Sequence, residues 1–131
     1  MYKRQIQERY DEAEPLILEA LETARRIFVE DDPRVIDSMH EVARFLLSGR
    51  DPAKPAEALP LAREVNELTG YGNPDYLETL ALALFLTGDA RQAAEVQSQA
   101  IALLPAGDSP RRAELEATLA RYEAALSTGD G

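Results

Sequence analysis

The stretch that decides the fold runs from Asn73 to Pro105 and reads NPDYLETLALALFLTGDARQAAEVQSQAIALLP. It opens with a capping residue before a proline. The cap oxygen can accept hydrogen bonds from the free amides of a first helical turn, and proline has no amide to lose at that position. Apolar residues then recur at helical spacing as far as Gly88, where glycine accepts the left-handed conformation that ends a helix. A second helical pattern follows, so the stretch predicts two helices joined by a short turn.

Further start and stop signals lie outside this stretch. The pairs Asp32-Pro33 and Ser109-Pro110 repeat the start signal, and Gly49 and Gly70 repeat the stop signal. No run of alternating β-branched residues bounded by hairpin turns occurs, so we expect no sheet. Six helices are predicted, with these approximate ranges: Tyr10 to Glu30, with room to extend upstream toward Tyr2; Pro33 to Ser48; Ala56 to Thr69; Pro74 to Thr87; Ala90 to Leu104; and Ser109 to Ser127.

A short pattern recurs within the chain. Residues 12–16 read EAEPL, residues 57–61 read EALPL, and residues 92–96 read QAAEV more loosely. Small residues seven positions apart lie on one face of a helix, where a neighbouring helix can approach closely. The pairs of this kind are Ala13 with Ala20, Ala58 with Val65, and Ala93 with Ala100. We therefore expect these positions to be buried between adjacent helices.

The pattern resembles the tetratricopeptide repeat, a helix-turn-helix unit of about 34 residues that stacks into a solenoid. Residues 10–33 are similar to the long repeats of the kinesin light chain type. In residues 73–105 the family's packing positions are occupied by Tyr76, Leu77, Leu80, Ala81, Leu84, Ala93 and Ala100, and Pro105 closes the unit. The resemblance implies an all-α, right-handed α-α superhelix of about two and a half hairpins with a C-terminal capping helix.

The resemblance also divides the chain, as a single domain of residues 1–131, into an incomplete first repeat (1–32), a second repeat (33–72), a third repeat (73–105) and a capping helix (109–127). The incomplete opening favours a piece of a longer array, in which Leu16, Ile17 and Leu21 would be incompletely covered. In the capping helix, Leu115, Leu119, Tyr122 and Leu126 form one apolar stripe. The residues expected to face water are Arg111, Arg112, Glu114, Glu116 and Arg121.

Composition limits the classes of partner. The 131 residues include 24 acidic and 14 basic side chains, a formal charge of −10. Such a chain repels nucleic acid and anionic lipid on average, so we expect a basic or apolar protein partner, no nucleic acid and no membrane. It has no cysteine, which excludes disulfides and thiol chemistry. Neither a signal peptide nor a membrane-spanning stretch is recognisable, so a cytoplasmic protein is expected.

The resemblance implies a concave groove that binds a peptide and is lined by the first helix of each repeat. The residues expected along it are Asp37, His40, Arg44, Leu47, Glu78, Leu82, Phe85 and Leu86. Leu82 and Phe85 are the expected apolar anchors, with Arg44 and His40 setting the polar register. Some family members clamp a terminal carboxylate with lysines and asparagines. The matching face lacks these residues, which disfavours that mode of binding.

The run Leu80 to Leu86 is apolar around most of its helical circumference. Either the long first helix or an adjacent repeat covers its second face, or the run forms a surface for an apolar ligand or for self-association. The sequence leaves both alternatives open.

No residue pattern points to catalysis, a metal or a cofactor. His40 stands near Asp37 and Glu41, but one histidine with two helix-surface carboxylates makes no converging pocket, so we expect a solvated or ion-paired surface. The acidic residues 30–32 and Asp51 lack the pattern of a calcium loop and are expected to be helix ends and caps. Arg25-Arg26 and Arg111-Arg112 are expected to form ion pairs on helix surfaces.

Three functional hypotheses follow for a chain without enzymatic activity. The first is an adaptor that binds a peptide or a helix of another protein in the groove. The second is a structural module that associates with itself as a homo-oligomer. The third is a regulatory repeat segment of a larger bacterial signalling protein, as similar repeats often are.

Overall fold

The computed structural model describes residues 2–49 and 52–127, which form six helices and no strand. The helices are α1 (Tyr2–Ile27), α2 (Pro33–Ser48), α3 (Pro55–Leu68), α4 (Pro74–Leu86), α5 (Ala90–Ala102) and α6 (Pro110–Ser127). The predicted number and order of helices are confirmed, and the bounds of α2 to α6 agree with prediction to within two residues. The predicted cap at Asp51 lies outside the described residues.

The three capping residues make the hydrogen bonds that the sequence predicts. The side chain of Asp32 accepts from the backbone amide of Arg34 at 2.8 Å, and that of Asn73 accepts from the amide of Asp75 at 2.9 Å. Ser109 accepts from the amide of Arg112 at 3.1 Å. A proline follows each cap at the first helical position, so each pair is a helix start.

Helix α1 is the element that departs most from prediction. It begins at Tyr2, the upstream limit that the sequence allowed, and ends at Ile27, three residues earlier than expected. Upstream of Tyr10 there is no start signal, but Ile6 and Tyr10 are half-buried and continue the packed face of the helix. Pro15 therefore lies well inside α1, not in a first turn, where its missing amide removes one helical hydrogen bond.

Consecutive helices pack against each other in chain order, and α2 also touches α4. Helix α3 therefore lies between α2 and α4, and α5 lies between α4 and α6. This arrangement is an all-α repeat solenoid in which each helical pair packs on the next. Its core runs along the whole array, as repeat architecture requires.

The small residues mark the closest packing, but only inside the array. Ala58, Val65, Ala93 and Ala100 are fully buried, as predicted. In α1, by contrast, Ala13 is half-buried and Ala20 is exposed. The expectation for Ala20 is therefore wrong, because within the described residues no helix lies on that side of α1.

The apolar residues of α1 that were expected to be incompletely covered also differ in exposure. Leu16 is 67% exposed, as expected for an incompletely covered helix, and Ile17 is half-buried. Leu21 is only 5% exposed, because it faces α2 and joins the core there. The expectation that Leu21 would be uncovered is therefore wrong.

Two buried amides join the second helix of a pair to the first helix of the next. Asn66 in α3 donates through Nδ2 to the carbonyl of Tyr76 at 3.0 Å, and Gln97 in α5 donates through Nε2 to the carbonyl of Leu115 at 3.0 Å. Both side chains are fully buried. Because a buried donor without a partner is costly, these bonds help to set how α4 and α6 lie on the preceding helices.

Helix α6 buries its predicted apolar stripe. Leu115 and Tyr122 are buried, and Leu119 and Leu126 are half-buried. Arg111 forms the ion pairs expected of it, with Asp75 and Glu78, and is half-buried, so the expectation that it faces water is wrong. In the described part of the chain, none of the helices combines the length and hydropathy that a membrane span needs.

Candidate functional site

One side of the solenoid, lined by α2, α4 and α6, carries three adjoining hollows, and Arg44 borders all three. The central hollow has a volume of about 280 Å³ and an apolar floor of Leu47, Leu82 and Tyr122. A second, of about 640 Å³, extends along α2 toward Ile17 of α1. A third, of about 450 Å³, extends toward the start of α6. We call this continuous surface the groove.

The structure places six of the eight predicted site residues along the groove. These six are Asp37, His40, Arg44, Leu47, Glu78 and Leu82. Phe85 and Leu86 do not border it. Helix α6 contributes four groove residues that the predicted site did not include, namely Arg111, Thr118, Arg121 and Tyr122. The start signal Ser109-Pro110 could have suggested them, because it marks α6 as another first helix.

Phe85 already packs against another side chain of the fold. Its ring stacks on Tyr122 of α6, with centroids 4.6 Å apart and planes at 30°. It is therefore part of the packing between α4 and α6 and is not a free anchor. Leu86 is 42% exposed but lies beside Pro55 and Glu57, in a different hollow.

The apolar run of α4 is covered by neighbouring helices of the array. Leu80, Ala81, Ala83 and Leu84 are buried in clusters with residues of α2, α3, α5 and α6. Of the two alternatives left open by the sequence, coverage by adjacent repeats is the one observed for most of the run. Only Leu82 of this run reaches the groove.

His40 lies in a chain of polar contacts between α2 and α4. Its Nε2 donates to Thr79 Oγ1 at 2.8 Å, because the Thr79 hydroxyl itself donates to the carbonyl of Asp75 at 3.2 Å. The His40 ring also meets the edge of Tyr76, with centroids 4.6 Å apart. His40 is thus half-buried and hydrogen-bonded, so the expectation of a solvated or ion-paired histidine is wrong.

The surroundings of His40 disfavour its protonated form. Burial, together with the nearby Arg44 guanidinium, lowers the pKa of His40 below its ordinary value of 6.5. Tyr76 donates to Asp37 at 3.3 Å, and its pKa is raised by burial and by the Asp37 carboxylate. Asp37 and His40 therefore point to different partners and do not converge on one position in the groove.

The arginines of the groove fall into two classes. Arg111 is neutralised by α4, where it bonds Glu78 at 2.8 Å and also pairs with Asp75. Arg44 and Arg121 form no ion pair with any described residue, although both are exposed on the central hollow. In a chain of charge −10, the centre of the groove thus carries two unpaired guanidinium groups beside an apolar floor.

The described residues contain no group of three or more His, Cys, Asp or Glu side chains placed to hold a metal ion. The polar side-chain groups of the groove are the guanidinium, imidazole, amide, hydroxyl and carboxylate groups of its lining residues. This chemistry suits the recognition of a ligand surface by hydrogen bonds and charge.

Comparison with solved structures bears on this geometry. Two crystal structures of a Podosopora anserina protein assigned to the kinesin light chains, with nearly identical TPR-like repeats, superpose on 96% of this chain with TM-scores of 0.78 and 0.77. The second is a single-residue variant of that protein. Sequence identity is 23% in each case, and the matched region spans 64% of each of those chains.

This chain has the tetratricopeptide-type repeat fold. The predicted resemblance and the all-α repeat solenoid are thereby confirmed. No protein-family model and no curated protein matches the chain. At 23% sequence identity, this likeness establishes the fold.

Proposed function

We propose that this tetratricopeptide-type chain is an interaction module that binds a short segment of another protein in the groove. The segment would pair an acidic side chain with a large apolar one. The observation that carries this proposal is the pair of exposed, unpaired arginines, Arg44 and Arg121, on the hollow floored by Leu47, Leu82 and Tyr122.

The apolar part of the ligand would contribute through burial. Leu82 and Tyr122 present carbon surface at the floor of the hollow, and burying apolar surface contributes roughly 25 cal/mol per Å². A single large side chain fits the volume of about 280 Å³. Such an anchor in a small desolvated pocket is the usual source of most of the affinity in an interface.

The acidic part of the ligand would fix the orientation of the ligand in the groove. A carboxylate accepts paired hydrogen bonds from one guanidinium group, and these are stronger than neutral hydrogen bonds. Arg111 is unsuited to this role because its bonds to Glu78 and Asp75 already satisfy it. The net charge alone favours basic partners, but it is screened beyond about 8 Å at physiological salt, so the local arginines decide the preference inside the groove.

Selection from a random peptide library tests the acidic preference. Wild-type protein should enrich peptides that combine Asp or Glu with a large apolar residue. Arg44→Glu should lose the acidic preference, because it replaces the attracting charge with a repelling one. Arg91→Glu in α5 is the matched control, since Arg91 is exposed and lies outside the groove. The same enrichment from all three proteins would contradict the proposal, as would no enrichment from the wild type.

The apolar anchor is tested with the enriched peptide. Leu82→Gln should weaken binding by about ten- to a hundredfold in a fluorescence titration, since the cost of losing a central anchor is about 1.4 to 2.8 kcal/mol. Leu86→Gln, on the same helix but outside the groove, should bind like the wild type. Equal affinities for the two variants would place the ligand elsewhere.

The wider setting is also part of the proposal. We also propose a cytoplasmic location and a place as a regulatory segment of a larger bacterial signalling protein, with which the repeat fold is compatible. The location and the signalling role are expectations from the sequence. They concern where the groove would act and not how it binds a ligand.

A further inference from the structure

The central hollow of the groove is lined by a hydroxyl group that bonds to no described residue. It belongs to Tyr122 of α6, which is only 1% exposed. The aromatic ring of Tyr122 is held by stacking on Phe85, with centroids 4.6 Å apart. Polar groups of buried side chains usually have a hydrogen-bond partner, so this hydroxyl is available to a ligand in the hollow.

The hydroxyl of Tyr122 lies near the charged groups of the hollow. The charges of Arg121 and Glu78, which both line the hollow, act on it. Burial raises the pKa of Tyr122 above its ordinary value of 10.0 and outweighs the opposing effect of the Arg121 guanidinium. The hydroxyl therefore keeps its proton at neutral pH and can donate it to an acceptor.

The other hydroxyl groups of the hollow already have acceptors. Each donates to the carbonyl of the residue four positions earlier in its own helix. They belong to Ser48, Thr79 and Thr118, and the oxygen–oxygen distance is 3.2 Å in each case. The donors that remain for a ligand are the Tyr122 hydroxyl and the guanidinium groups of Arg44 and Arg121.

This set of donors matches a phosphate group better than a carboxylate. Glu78 also lines the hollow, but Arg111 offsets its charge at 2.8 Å. Arg44 and Arg121 pair with no residue that the structure describes, so the hollow has two unbalanced positive charges. A carboxylate supplies one negative charge and two oxygens. A phosphate monoester supplies a charge of about −1.5 to −2 at pH 7 and three acceptor oxygens.

The apolar floor decides which phosphorylated side chain fits. The volume of about 280 Å³ is close to the roughly 300 Å³ at which pockets for small molecules begin, so the hollow accommodates one large side chain. Phosphoserine has almost no apolar surface to place on Leu47 and Leu82. Phosphotyrosine carries an aromatic ring between its backbone and its phosphate, so one residue meets both the floor and the donors.

We infer that the central hollow takes a phosphotyrosine side chain of the partner segment. Its ring lies on Leu47 and Leu82. Its phosphate accepts hydrogen bonds from the two guanidinium groups and from the hydroxyl of Tyr122. The inference rests on the proposed function, because it assumes that a segment of another protein lies in the groove. It assigns the acidic and the apolar feature of that segment to one residue, so phosphorylation of the partner switches binding on.

Fluorescence anisotropy on the whole chain tests the inference with four pools of short, labelled peptides that have random flanks. Their centres are phosphotyrosine, tyrosine, phosphoserine and the pair Glu-Phe. The phosphotyrosine pool should bind at least about tenfold more tightly than any other, since each added hydrogen bond to a charged group contributes about tenfold or more.

The Glu-Phe pool separates failure of this inference from failure of the proposed function. If it binds as tightly as the phosphotyrosine pool and Arg44→Glu abolishes its binding, the proposed function stands and the inference is overturned. If none of the pools binds, both are overturned. Equal binding of the tyrosine and phosphotyrosine pools also overturns the inference, because the phosphate then contributes nothing.

Tyr122→Phe removes the hydroxyl and keeps the stacked ring. It should weaken binding of the phosphotyrosine pool by about tenfold and leave the tyrosine pool unchanged. Tyr71→Phe is the matched control, since Tyr71 is exposed in the turn after α3 and does not line the groove. Arg121→Gln should also weaken the phosphotyrosine pool, whereas Arg91→Gln should not. Wild-type affinity in both Tyr122→Phe and Arg121→Gln would overturn the inference.

Competition distinguishes a phosphorylated side chain from free phosphate as the source of the anion. Phenyl phosphate should displace the phosphotyrosine pool at a concentration at least about tenfold below that of inorganic phosphate, because burial of the ring on the apolar floor adds to its affinity. Equal displacement by the two compounds would mean that the floor does not bind the ring, and it would overturn the inference.

Discussion

Helices α5 and α1 carry the same pair of small residues seven positions apart, but they differ in what surrounds them. In α5, Ala93 and Ala100 are wedged against α4 and are fully buried. In α1, Ala13 is half-buried and Ala20 is exposed, because only the side facing α2 is packed. The difference shows that a repeat motif marks a face that can be packed, and that a neighbouring helix must be present for the motif to contribute stability.

The strongest test of this contrast removes a large side chain from each region. Leu77→Ala should lower the free energy of unfolding by about 2–5 kcal/mol, because Leu77 is fully buried and its loss leaves a cavity. Leu16→Ala should change it by less than about 0.5 kcal/mol, since Leu16 is exposed. Urea unfolding in dilute solution measures both. Equal effects would show that the two regions are equally packed.

A smaller effect is expected when the small residues themselves are enlarged. Ala100→Leu should destabilise the fold by about 1–3 kcal/mol, because the added methylenes enter a closely packed interface with α4. Ala20→Leu should leave stability within about 0.5 kcal/mol of the wild type, since its side chain points to open space. The contrast would be broken if Ala20→Leu destabilised the chain as strongly as Ala100→Leu.

The smallest expected effect is a dependence of stability on pH. It arises at the α2–α4 interface inside the array and not at α1. Packing of α2 on α4 places His40 among Thr79, Tyr76, Asp37, Asp75 and Arg44, and its pKa in the folded chain lies below the ordinary value of 6.5. The unfolded chain therefore binds more protons at mildly acidic pH. Stability should fall as the pH drops below about 6.5, until His40 also becomes protonated in the folded chain.

His40→Gln is the variant that isolates this titration, because glutamine can still donate to Thr79 but does not become protonated. The difference in unfolding free energy between wild type and His40→Gln should be constant above about pH 6.5 and should shift against the wild type below it. A difference that is independent of pH would contradict the lowered pKa. Since α1 carries no histidine, the effect reports on the α2–α4 interface.

Prediction from sequence succeeded where the signal is short-range. The starts at Asp32, Asn73 and Ser109 are hydrogen bonds between residues two or three positions apart, so they can be read without knowing the fold. It failed where two helices meet. Nothing in α4 alone indicates that Phe85 is covered, because the ring that covers it belongs to Tyr122.

The groove illustrates the same division. Helical spacing and the family resemblance placed Arg44 and Leu82 together in the predicted groove, and both residues line the central hollow. Which charges of the groove are paired was not predictable from the sequence. Glu78 forms its ion pair with Arg111, which lies 33 positions away in the chain. This long-range pairing leaves Arg44 and Arg121 as the groove arginines that form no ion pair with a residue of ranges 2–49 and 52–127.

The sequence by itself determined the helices, their caps and the repeat that stacks them, because capping and apolar periodicity are set by residues within one or two helical turns. Tertiary structure alone decided which repeated faces are buried, which groove arginines lack an ion pair among the described residues, and which residue accepts the hydrogen bond of His40. Those outcomes depend on neighbours that are distant in the chain, so the same local pattern has one consequence in α5 and another in α1.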